Sequence, residues 1–390
     1  MNKPLESAPR LASLDAYRGF IMFLMASAGF GIPAVAEKLP DSIWASIAPH
    51  VDHVPWVGCV LWDLIQPAFM FMVGVAAAYS TAKRIEKGDS LAKVLWHAFV
   101  RALALVLLGV LLASNSSRDK QTNWLFTNVL SQIGLGYFVL VLLSRSTRSV
   151  QWGVLIGILC GYWLLFAVWP PSPMPENADV SWMRNEDWLT GFFARWNPHT
   201  NPAAAFDRWF LNEFPRSEQY IATRGGYQTL NFVPSLATML MGLLTGEVLR
   251  QARKPAQKLR TFVIAGLASL LLGWLAGITI CPLVKRIWTP SWVLYSGGWV
   301  LLMLAVFYYV IDVKGWRTWS IPWTVIGMNS IFVYLGFQLS SGWIRETLAR
   351  HLGQDWFTGD YQSMTQRTGV LIVLWLLAWW LYSQRVFLRL

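Results

Sequence analysis

One stretch of the sequence brings together side chains that can move a proton. His53 lies in a short polar segment, Trp56 follows three residues later, and Asp63 lies in an apolar run long enough to cross a bilayer. An imidazole titrates near neutral pH and can act as a general base, and a carboxylate can orient it. Lipid penalises a carboxylate, so Asp63 is expected to face protein or a cavity. We predict catalytic roles for His53 and Asp63 and a substrate contact for Trp56.

Each of these residues also has a purely structural interpretation. His53 can be an interface histidine without chemistry, since His50 and Asp52 stand beside it. Asp63 can be a buried partner of a basic or hydroxyl side chain. Asp63 follows Trp56 by seven residues, which is two helical turns, so a continuous helix would place both on one face about 10 Å apart.

Cationic side chains at two other places can bind an anionic ligand. Asp15 and Arg18 are three residues apart at the start of the first apolar segment, so they share a helix face. They form a structural ion pair, or Arg18 meets a phosphate of a cofactor. Lys285 and Arg286 stand together in a short turn. They either bind the anionic part of a cofactor or reach to the membrane interface.

Two more polar or aromatic side chains are predicted to contact a substrate. Trp288 follows the adjacent cations, and Asn329 lies within an apolar segment. The structural alternative for Asn329 is hydrogen bonding between helices. The three cysteines are isolated and form no CxxC, and the sequence has no HExxH, P-loop, GxSxG or GxGxxG motif. We therefore predict no metal site, and we find no support for nucleotide hydrolysis or zinc proteolysis.

The composition is that of an all-α integral membrane protein. Only 14% of the 390 residues are charged and 55% are hydrophobic, whereas an average soluble domain has about 25% charged residues. The apolar residues fall in blocks of about 20, the length that spans hydrocarbon. We predict about ten transmembrane helices, over residues 15–35, 57–80, 94–113, 124–143, 151–169, 229–249, 261–281, 292–311, 321–341 and 368–385.

One long segment, residues 170–228, interrupts the series between the fifth and sixth spans. It opens with four prolines and then contains four tryptophans, which argue against disorder. We expect a folded cap over the outer face of the membrane. Nothing else divides the chain, so residues 1–390 are predicted to form a single transmembrane domain.

The distribution of lysine and arginine predicts the orientation. With a cytoplasmic N-terminus, cytoplasmic segments hold 17 of these residues and the short outer loops hold 8. Cytoplasmic loops carry such an excess, so both termini are predicted inside and His53 outside. The net charge of +11 is therefore explained by orientation in the membrane and contact with anionic lipids, and it does not indicate nucleic-acid binding. A cleaved signal peptide ending at Ala34-Val35-Ala36 is the alternative, but it would leave an odd number of spans.

A set of short motifs in order along the chain resembles the heparan-α-glucosaminide N-acetyltransferase family and its bacterial relatives. The motifs cover nearly the whole chain. Within the first of them, Ser13 is a plausible helix N-cap. The motifs are Arg10-Leu-x-Ser13-Leu-Asp15-x-x-Arg18-Gly19, His53-x-x-Trp56-x-Gly58, Asp63-Leu-x-x-Pro67-x-Phe69-x-Phe71-x-x-Gly74, Asn128-Val-Leu-x-Gln132-Ile-Gly134, Asn231-Phe-Val-Pro234 with Gly242-Leu-Leu-x-Gly246-Glu247, Lys285-Arg286-Ile-Trp288-Thr-Pro290-Ser-Trp292, and Asp312-Val-Lys-Gly315 with Gly327-Met328-Asn329-Ser330.

The resemblance implies an integral membrane enzyme that uses cytosolic acetyl-CoA to acetylate a sugar amine across the membrane. The functional histidine of the family carries over to His53. One departure is Gly29, which stands where the animal members have an asparagine. The absence of organelle-targeting sequence favours a bacterial inner membrane. A homodimer is left open.

Three alternatives remain at this point. The acceptor can be a hydroxyl of an envelope polysaccharide instead of a sugar amine. His53 can act as a general base, or it can carry the acetyl group itself. A transporter or flippase for a sugar or lipid-linked intermediate would also need about ten spans with polar residues inside them.

Overall fold

The structure is a computed structural model in which residues 11–117 and 121–388 are described. Within these ranges every regular element is helical, which confirms the predicted all-α class, and Val57 and Val284 form an isolated antiparallel bridge. Five of the lysines and arginines that were counted for the orientation lie outside the described residues, namely Lys3, Arg10, Arg118, Lys120 and Arg389. Arg10 is also the first residue of the first motif.

The α-helices are numbered in chain order. They are α1 (Ala12–Ser27), α2 (Ile32–Lys38), α3 (Ile43–Ile47), α4 (Ile65–Glu86), α5 (Leu91–Asn115), α6 (Val129–Leu143), α7 (Arg148–Val168), α8 (Pro202–Phe210), α9 (Phe232–Arg250), α10 (Pro255–Thr279), α11 (Pro290–Phe307), α12 (Ile321–Met328), α13 (Ser330–Leu352) and α14 (Gln362–Ser383). A π-helical turn, Tyr308–Val313, follows α11.

The described chain divides into two compact units. The larger unit contains residues 55–58 and 66–302, and the smaller unit contains residues 11–54, 59–65 and 303–388. The smaller unit is therefore assembled from the two ends of the chain, and α1 packs on α12, α13 and α14 within it. The single functional domain expected from the sequence stays a prediction.

In the part of the chain that the structure describes, eight helical segments are long and apolar enough to cross a membrane, and a ninth forms if α12 and α13 count as one bent span. These segments and α6 coincide with the ten apolar blocks of the sequence. Helix α6 is apolar but has only 15 residues. A multi-pass membrane protein is thus supported, and the number ten stays a prediction.

The start of α1 is capped by a distant carboxylate. Leu11 is the N-cap residue, and Asp312 accepts hydrogen bonds from the backbone N–H groups of Ala12 and Ser13 at 3.2 and 3.3 Å. A carboxylate there meets two unpaired donors and the positive end of the helix dipole. The expectation that Ser13 caps the helix was wrong, because Ser13 lies inside the first turn.

The first apolar block is not one straight helix. Ala28, Gly29, Phe30 and Gly31 all have positive φ between 45° and 66°. A run of left-handed residues cannot continue a right-handed helix, so the chain breaks between α1 and α2.

Helices α1 and α12 approach so closely that only glycine fits at the contact. A Cβ atom on Gly19 would overlap the backbone carbonyl of Trp323, and one on Gly327 would overlap the carbonyl oxygen of Asp15. Small residues permit this approach between helix backbones, which is a common way for helices to pack in membranes.

Residues 170–228 form a folded part of the larger unit. Trp196 is completely buried and stacks at 6.1 Å on Phe166 of α7, in a cluster that includes Tyr162 and Ile287. Helix α8 begins at Pro202 with Asn201 as its cap, whose side chain accepts a hydrogen bond from Ala204 N–H. The predicted position of this segment on the outer face stays a prediction.

Asp207 of α8 is expected to make the stability of this segment depend on pH. Its Oδ2 accepts a hydrogen bond from Thr229 N–H at 2.9 Å, and its other oxygen has no hydrogen-bond partner among the described residues. Burial raises the pKa of Asp207 to about 7, from an unfolded value of about 3.9. The folded state therefore binds an extra proton between these values, and stability falls as pH rises from about 4 to 7.

The variant Asp207→Asn is expected to lose this pH dependence, because an amide does not titrate. Relative to the variant, the wild type should lose on the order of 1 kcal/mol per pH unit across that window. Thermal unfolding of purified protein between pH 5 and 8 measures it, with the exposed Glu218→Gln as control. Parallel melting curves for wild type and Asp207→Asn would contradict the assignment.

Candidate active site

His53 and Asp63 form a hydrogen-bonded pair in the smaller unit. Nδ1 of His53 lies 2.8 Å from Oδ1 of Asp63. The side chain of Asp63 is 1% exposed and that of His53 is 37% exposed. The pair therefore joins a buried carboxylate to an imidazole that solvent or a ligand can reach. The contact expected from the sequence is present, and the catalytic role of the pair stays a prediction.

The backbone around Asp63 fixes its carboxylate. Asp63 is the third residue of a 3-10 turn, Leu61–Leu64, and its Oδ2 accepts from the N–H of Val60 at 3.2 Å. An acidic residue at this position commonly reaches back to the N-cap N–H. Oδ2 also lies 3.4 Å from the N–H of Val54. One carboxylate oxygen thus holds the loop, and the other holds the histidine.

This arrangement selects one tautomer of His53. A carboxylate only accepts hydrogen bonds, so in the neutral imidazole Nδ1 carries the proton and Nε2 carries the lone pair. Such an imidazole can take a proton or attack an electrophile through Nε2, and the neighbouring carboxylate stabilises the imidazolium that results. The geometry is that of a general base or a nucleophile with an orienting partner.

Gly29 lies close to the backbone that leads to His53. Its φ is +62°, and a Cβ atom on it would stand 2.8 Å from the carbonyl oxygen of Val51. A larger residue at position 29 would require this loop to move. The structure therefore gives a steric reason for glycine at the position where the sequence departs from the family pattern.

Trp56 and Asp63 do not share a helix face, which corrects the prediction from their spacing. Pro55 precedes Trp56, Gly58 has a φ of +123°, and α4 starts only at Ile65. Seven residues therefore do not equal two turns here. Trp56 belongs to the larger unit and Asp63 to the smaller one.

Trp56 is part of the aromatic core of the larger unit. Its ring is completely buried, its Nε1 donates to the carbonyl of Trp196 at 3.0 Å, and Trp182 lies 5.8 Å away. Gly226 packs against its edge, because a Cβ there would come within 2.9 Å of the ring. The structure gives Trp56 a packing role, and its contact with substrate stays a prediction.

Arg286 is held between aromatic rings in the larger unit. Its guanidinium lies 4.6 Å from the ring centre of Trp182 and 5.5 Å from that of Tyr227, and Nη1 donates to the carbonyl of Gly225 at 2.8 Å. Asn231 donates to the carbonyl of Arg286. Aromatic faces stabilise a cation without neutralising it, so Arg286 keeps a positive charge that could meet an anion.

The contacts of Arg286 with Trp182, Tyr227 and Asn231 were not predicted from the sequence. They lie 104, 59 and 55 residues away from it in the sequence. The Gly225–Gly226 pair was the available signal, since both residues have positive φ and let the backbone approach Arg286 and Trp56.

Two residues near Arg286 in the sequence, Lys285 and Trp288, are buried. Lys285 is 3% exposed, and Trp288 is 1% exposed with its Nε1 3.2 Å from Thr238 Oγ1. Trp288 has a φ of 48°, which makes it one of the few non-glycine residues in the left-handed region. The roles predicted for Lys285 with a cofactor and for Trp288 with a substrate stay predictions.

Arg18 and Asn329 belong to the smaller unit. Arg18 lies 3.9 Å from Asp15, so the predicted ion pair is present and long. Asn329 is buried in the break between α12 and α13, which bend by 66° there. Its amide donates to the carbonyl of Val386 and accepts from Leu388 N–H. The structure gives Asn329 a structural role, and its contact with substrate and that of Arg18 with cofactor stay predictions.

No cluster of three or more potential metal ligands occurs within residues 11–117 and 121–388. Cys59, Cys160 and Cys281 form no disulfide bond within the same described ranges.

Comparison with known proteins identifies distant relatives over nearly the whole chain. This chain is 26% identical over 428 aligned residues to the human protein named heparan-alpha-glucosaminide N-acetyltransferase, and the alignment covers 97% of this chain and 60% of that protein. The mouse protein of the same name is 25% identical over 426 residues, covering 98% of this chain and 61% of the relative. The chain thus spans about three fifths of the length of these relatives. No family model matches the sequence.

Proposed function

We propose that this chain, a distant relative of the heparan-alpha-glucosaminide N-acetyltransferases, is a transmembrane acetyltransferase. It moves an acetyl group from acetyl-CoA to an amine or hydroxyl of a carbohydrate. The observation that carries the proposal is the 2.8 Å contact between His53 Nδ1 and the buried carboxylate of Asp63. The named activity of the relatives supports the same reaction class.

In the direct mechanism His53 is a general base. Its Nε2 takes a proton from the acceptor nitrogen or oxygen as that atom attacks the thioester carbonyl carbon. The tetrahedral intermediate then collapses, the carbon–sulfur bond breaks, and the CoA thiolate receives the proton from the imidazolium. Asp63 stays ionised throughout and stabilises the charged imidazole.

In the alternative mechanism His53 carries the acetyl group. Nε2 attacks the thioester carbon, the carbon–sulfur bond breaks, and CoA leaves as the thiolate, so that an acetyl-imidazolium forms. The acceptor then takes the acetyl group from Nε2, and the proton that it loses passes to the CoA thiolate. This order predicts acetylated enzyme when acetyl-CoA is supplied without acceptor. Mass spectrometry of the peptide that contains His53 distinguishes the two mechanisms.

The remaining site residues are proposed to hold the two substrates. Two separate positions are proposed for the phosphates of CoA: Arg18 in the smaller unit, and Arg286 with its sequence neighbour Lys285 in the larger unit. The charge distribution places Arg18 on the cytoplasmic side and Lys285 and Arg286 on the outer side, so these positions are alternatives. Trp56, Trp288 and Asn329 are assigned to the carbohydrate side. The orientation proposed is that of the charge distribution, with both termini in the cytoplasm of a bacterial inner membrane and His53 outside.

The test is release of free CoA from acetyl-CoA by purified protein in the presence and absence of an acceptor. Glucosamine represents an amine acceptor, and N-acetylglucosamine offers only hydroxyl groups. Acceptor-dependent CoA release with an equal amount of acetylated sugar is expected. A protein that moves labelled sugar across vesicles without consuming acetyl-CoA would be a transporter, and the proposal would fail.

The variant Asp63→Asn is expected to lower the turnover rate about a hundredfold while acetyl-CoA still binds. An amide can present N–H toward Nδ1, which favours the wrong tautomer of His53 and removes the charge that stabilises the imidazolium. The rate should be measured from pH 6 to 9, because a change of pH profile separates lost orientation from lost folding. An unchanged rate and profile would refute this role.

A further inference from the structure

A polar groove in the smaller unit lies outside the residues assigned to acetyl transfer. It has a volume of about 830 Å³, and its lining includes Arg345, Glu346, Arg350, Gln354 and Gln366. Ligand pockets in proteins commonly have volumes of roughly 300–1,000 Å³. We call this cavity the arginine groove.

The spacing of the lining residues explains why the arginine groove is polar. Residues 342, 345, 346, 349, 350 and 353 recur at intervals of three and four, so they form one face of α13 and its end. A different face carries Ile344 and Leu348, which pack against Val370 and Leu374 of α14. Helix α13 therefore satisfies its apolar packing elsewhere and turns its arginines to the groove.

The arginines of the groove form no ion pair with any acid of the described residues. Glu346 forms no ion pair with Arg345 or Arg350 within residues 11–117 and 121–388. Nε of Arg345 donates to the carbonyl of Ser341, one turn earlier. Arg367 is also near enough for its charge to repel that of Arg345. Two like charges held close together favour a bound anion.

One structural explanation accounts for only part of this pattern. Arg350 lies in the last turn of α13, where a cation interacts favourably with the helix dipole. Arg345 is two turns from that end, beyond the reach of this effect. Arg345, Arg350 and Arg367 are also three of the eight basic residues that the sequence places in short outer loops, where the charge bias disfavours them.

We propose that the arginine groove binds a phosphate-bearing anion. The planar guanidinium groups of Arg345 and Arg350 donate paired N–H groups to phosphate oxygens, and Gln354 and Gln366 add neutral donors. The phosphate belongs either to an anionic phospholipid head group or to a soluble phosphate ester. This site is independent of the proposed acetyl transfer, and its failure would leave that proposal intact.

The experiment has two arms that separate the two sources. Native mass spectrometry counts phosphatidylglycerol molecules retained by the purified protein, with phosphatidylcholine as the reference lipid. Equilibrium dialysis measures binding of labelled inorganic phosphate to protein in phosphatidylcholine nanodiscs. Retention of phosphatidylglycerol alone identifies a lipid site, and binding of phosphate in the nanodiscs identifies a soluble ligand.

The double variant Arg345→Gln/Arg350→Gln should weaken binding at least about tenfold in the arm that is positive. Glu346→Gln should strengthen it severalfold, because it removes the acid from the same face. Arg253→Gln is the matched control, since Arg253 is an exposed arginine of the larger unit. Equal melting temperatures confirm folding. Binding that the double variant leaves unchanged, or no binding of either probe, overturns the proposal.

Discussion

The variant His53→Gln is expected to lose acetyl transfer by a factor of roughly 10² to 10⁴, the usual contribution of a positioned general base. Glutamine can still form a hydrogen bond with Asp63, but its amide cannot accept a proton at neutral pH. The buried carboxylate would keep a partner, so the fold should survive. The measurement is the initial rate of CoA release from acetyl-CoA with a saturating acceptor.

The neighbouring histidine provides the control for this prediction. His50 is exposed and lies three residues before His53 in the same polar segment. The variant His50→Gln should retain the wild-type rate. A folded His53→Gln protein that transfers acetyl at the wild-type rate would remove His53 from the mechanism in both its base and its carrier form.

The variant Gly327→Ala is expected to destabilise the smaller unit by about 3 kcal/mol or more. The added Cβ would overlap the backbone oxygen of Asp15, and a backbone atom cannot turn aside as a flexible side chain can. Overpacking of a core costs about 1–3 kcal/mol when side chains can adjust, and more when they cannot. Thermal unfolding in detergent measures the loss, together with the yield of folded protein.

A glycine in an open position tests whether this effect comes from the contact or from the substitution itself. Gly157 lies in α7, and a Cβ on it would meet no atom within 4 Å. Alanine favours a helix by up to about 1 kcal/mol over glycine, so Gly157→Ala should be neutral or slightly stabilising. Equal melting temperatures for Gly327→Ala and wild type would show that α1 and α12 are not in this close contact.

The apolar blocks of the sequence were sufficient to locate the long apolar helices. A run of about 20 apolar residues must satisfy its backbone hydrogen bonds internally in lipid, so it forms a helix whatever its neighbours do. The fourth block was predicted over residues 124–143, yet α6 starts only at Val129, where Asn128 caps it. Local capping decides such boundaries, and hydropathy does not register it.

The contacts of the candidate site were less predictable, for two physical reasons. Helical spacing failed at Trp56 and Asp63 because Pro55 and the positive φ of Gly58 put irregular backbone between them. The aromatic cage of Arg286 depends on Trp182 and Tyr227, which are distant in sequence and meet Arg286 only after folding. The pairing of His53 with Asp63 was predictable, because a carboxylate in an apolar segment needs a polar partner nearby.

The carboxylate of Asp63 joins two points of the chain that lie six residues apart. It accepts from the amides of Val54 and Val60, so it closes the loop between them in addition to orienting His53. These two amide protons should exchange with deuterated solvent more slowly than other amides of the loop. Their exchange rates would therefore report whether the loop is closed, in the resting protein and without any assay of turnover.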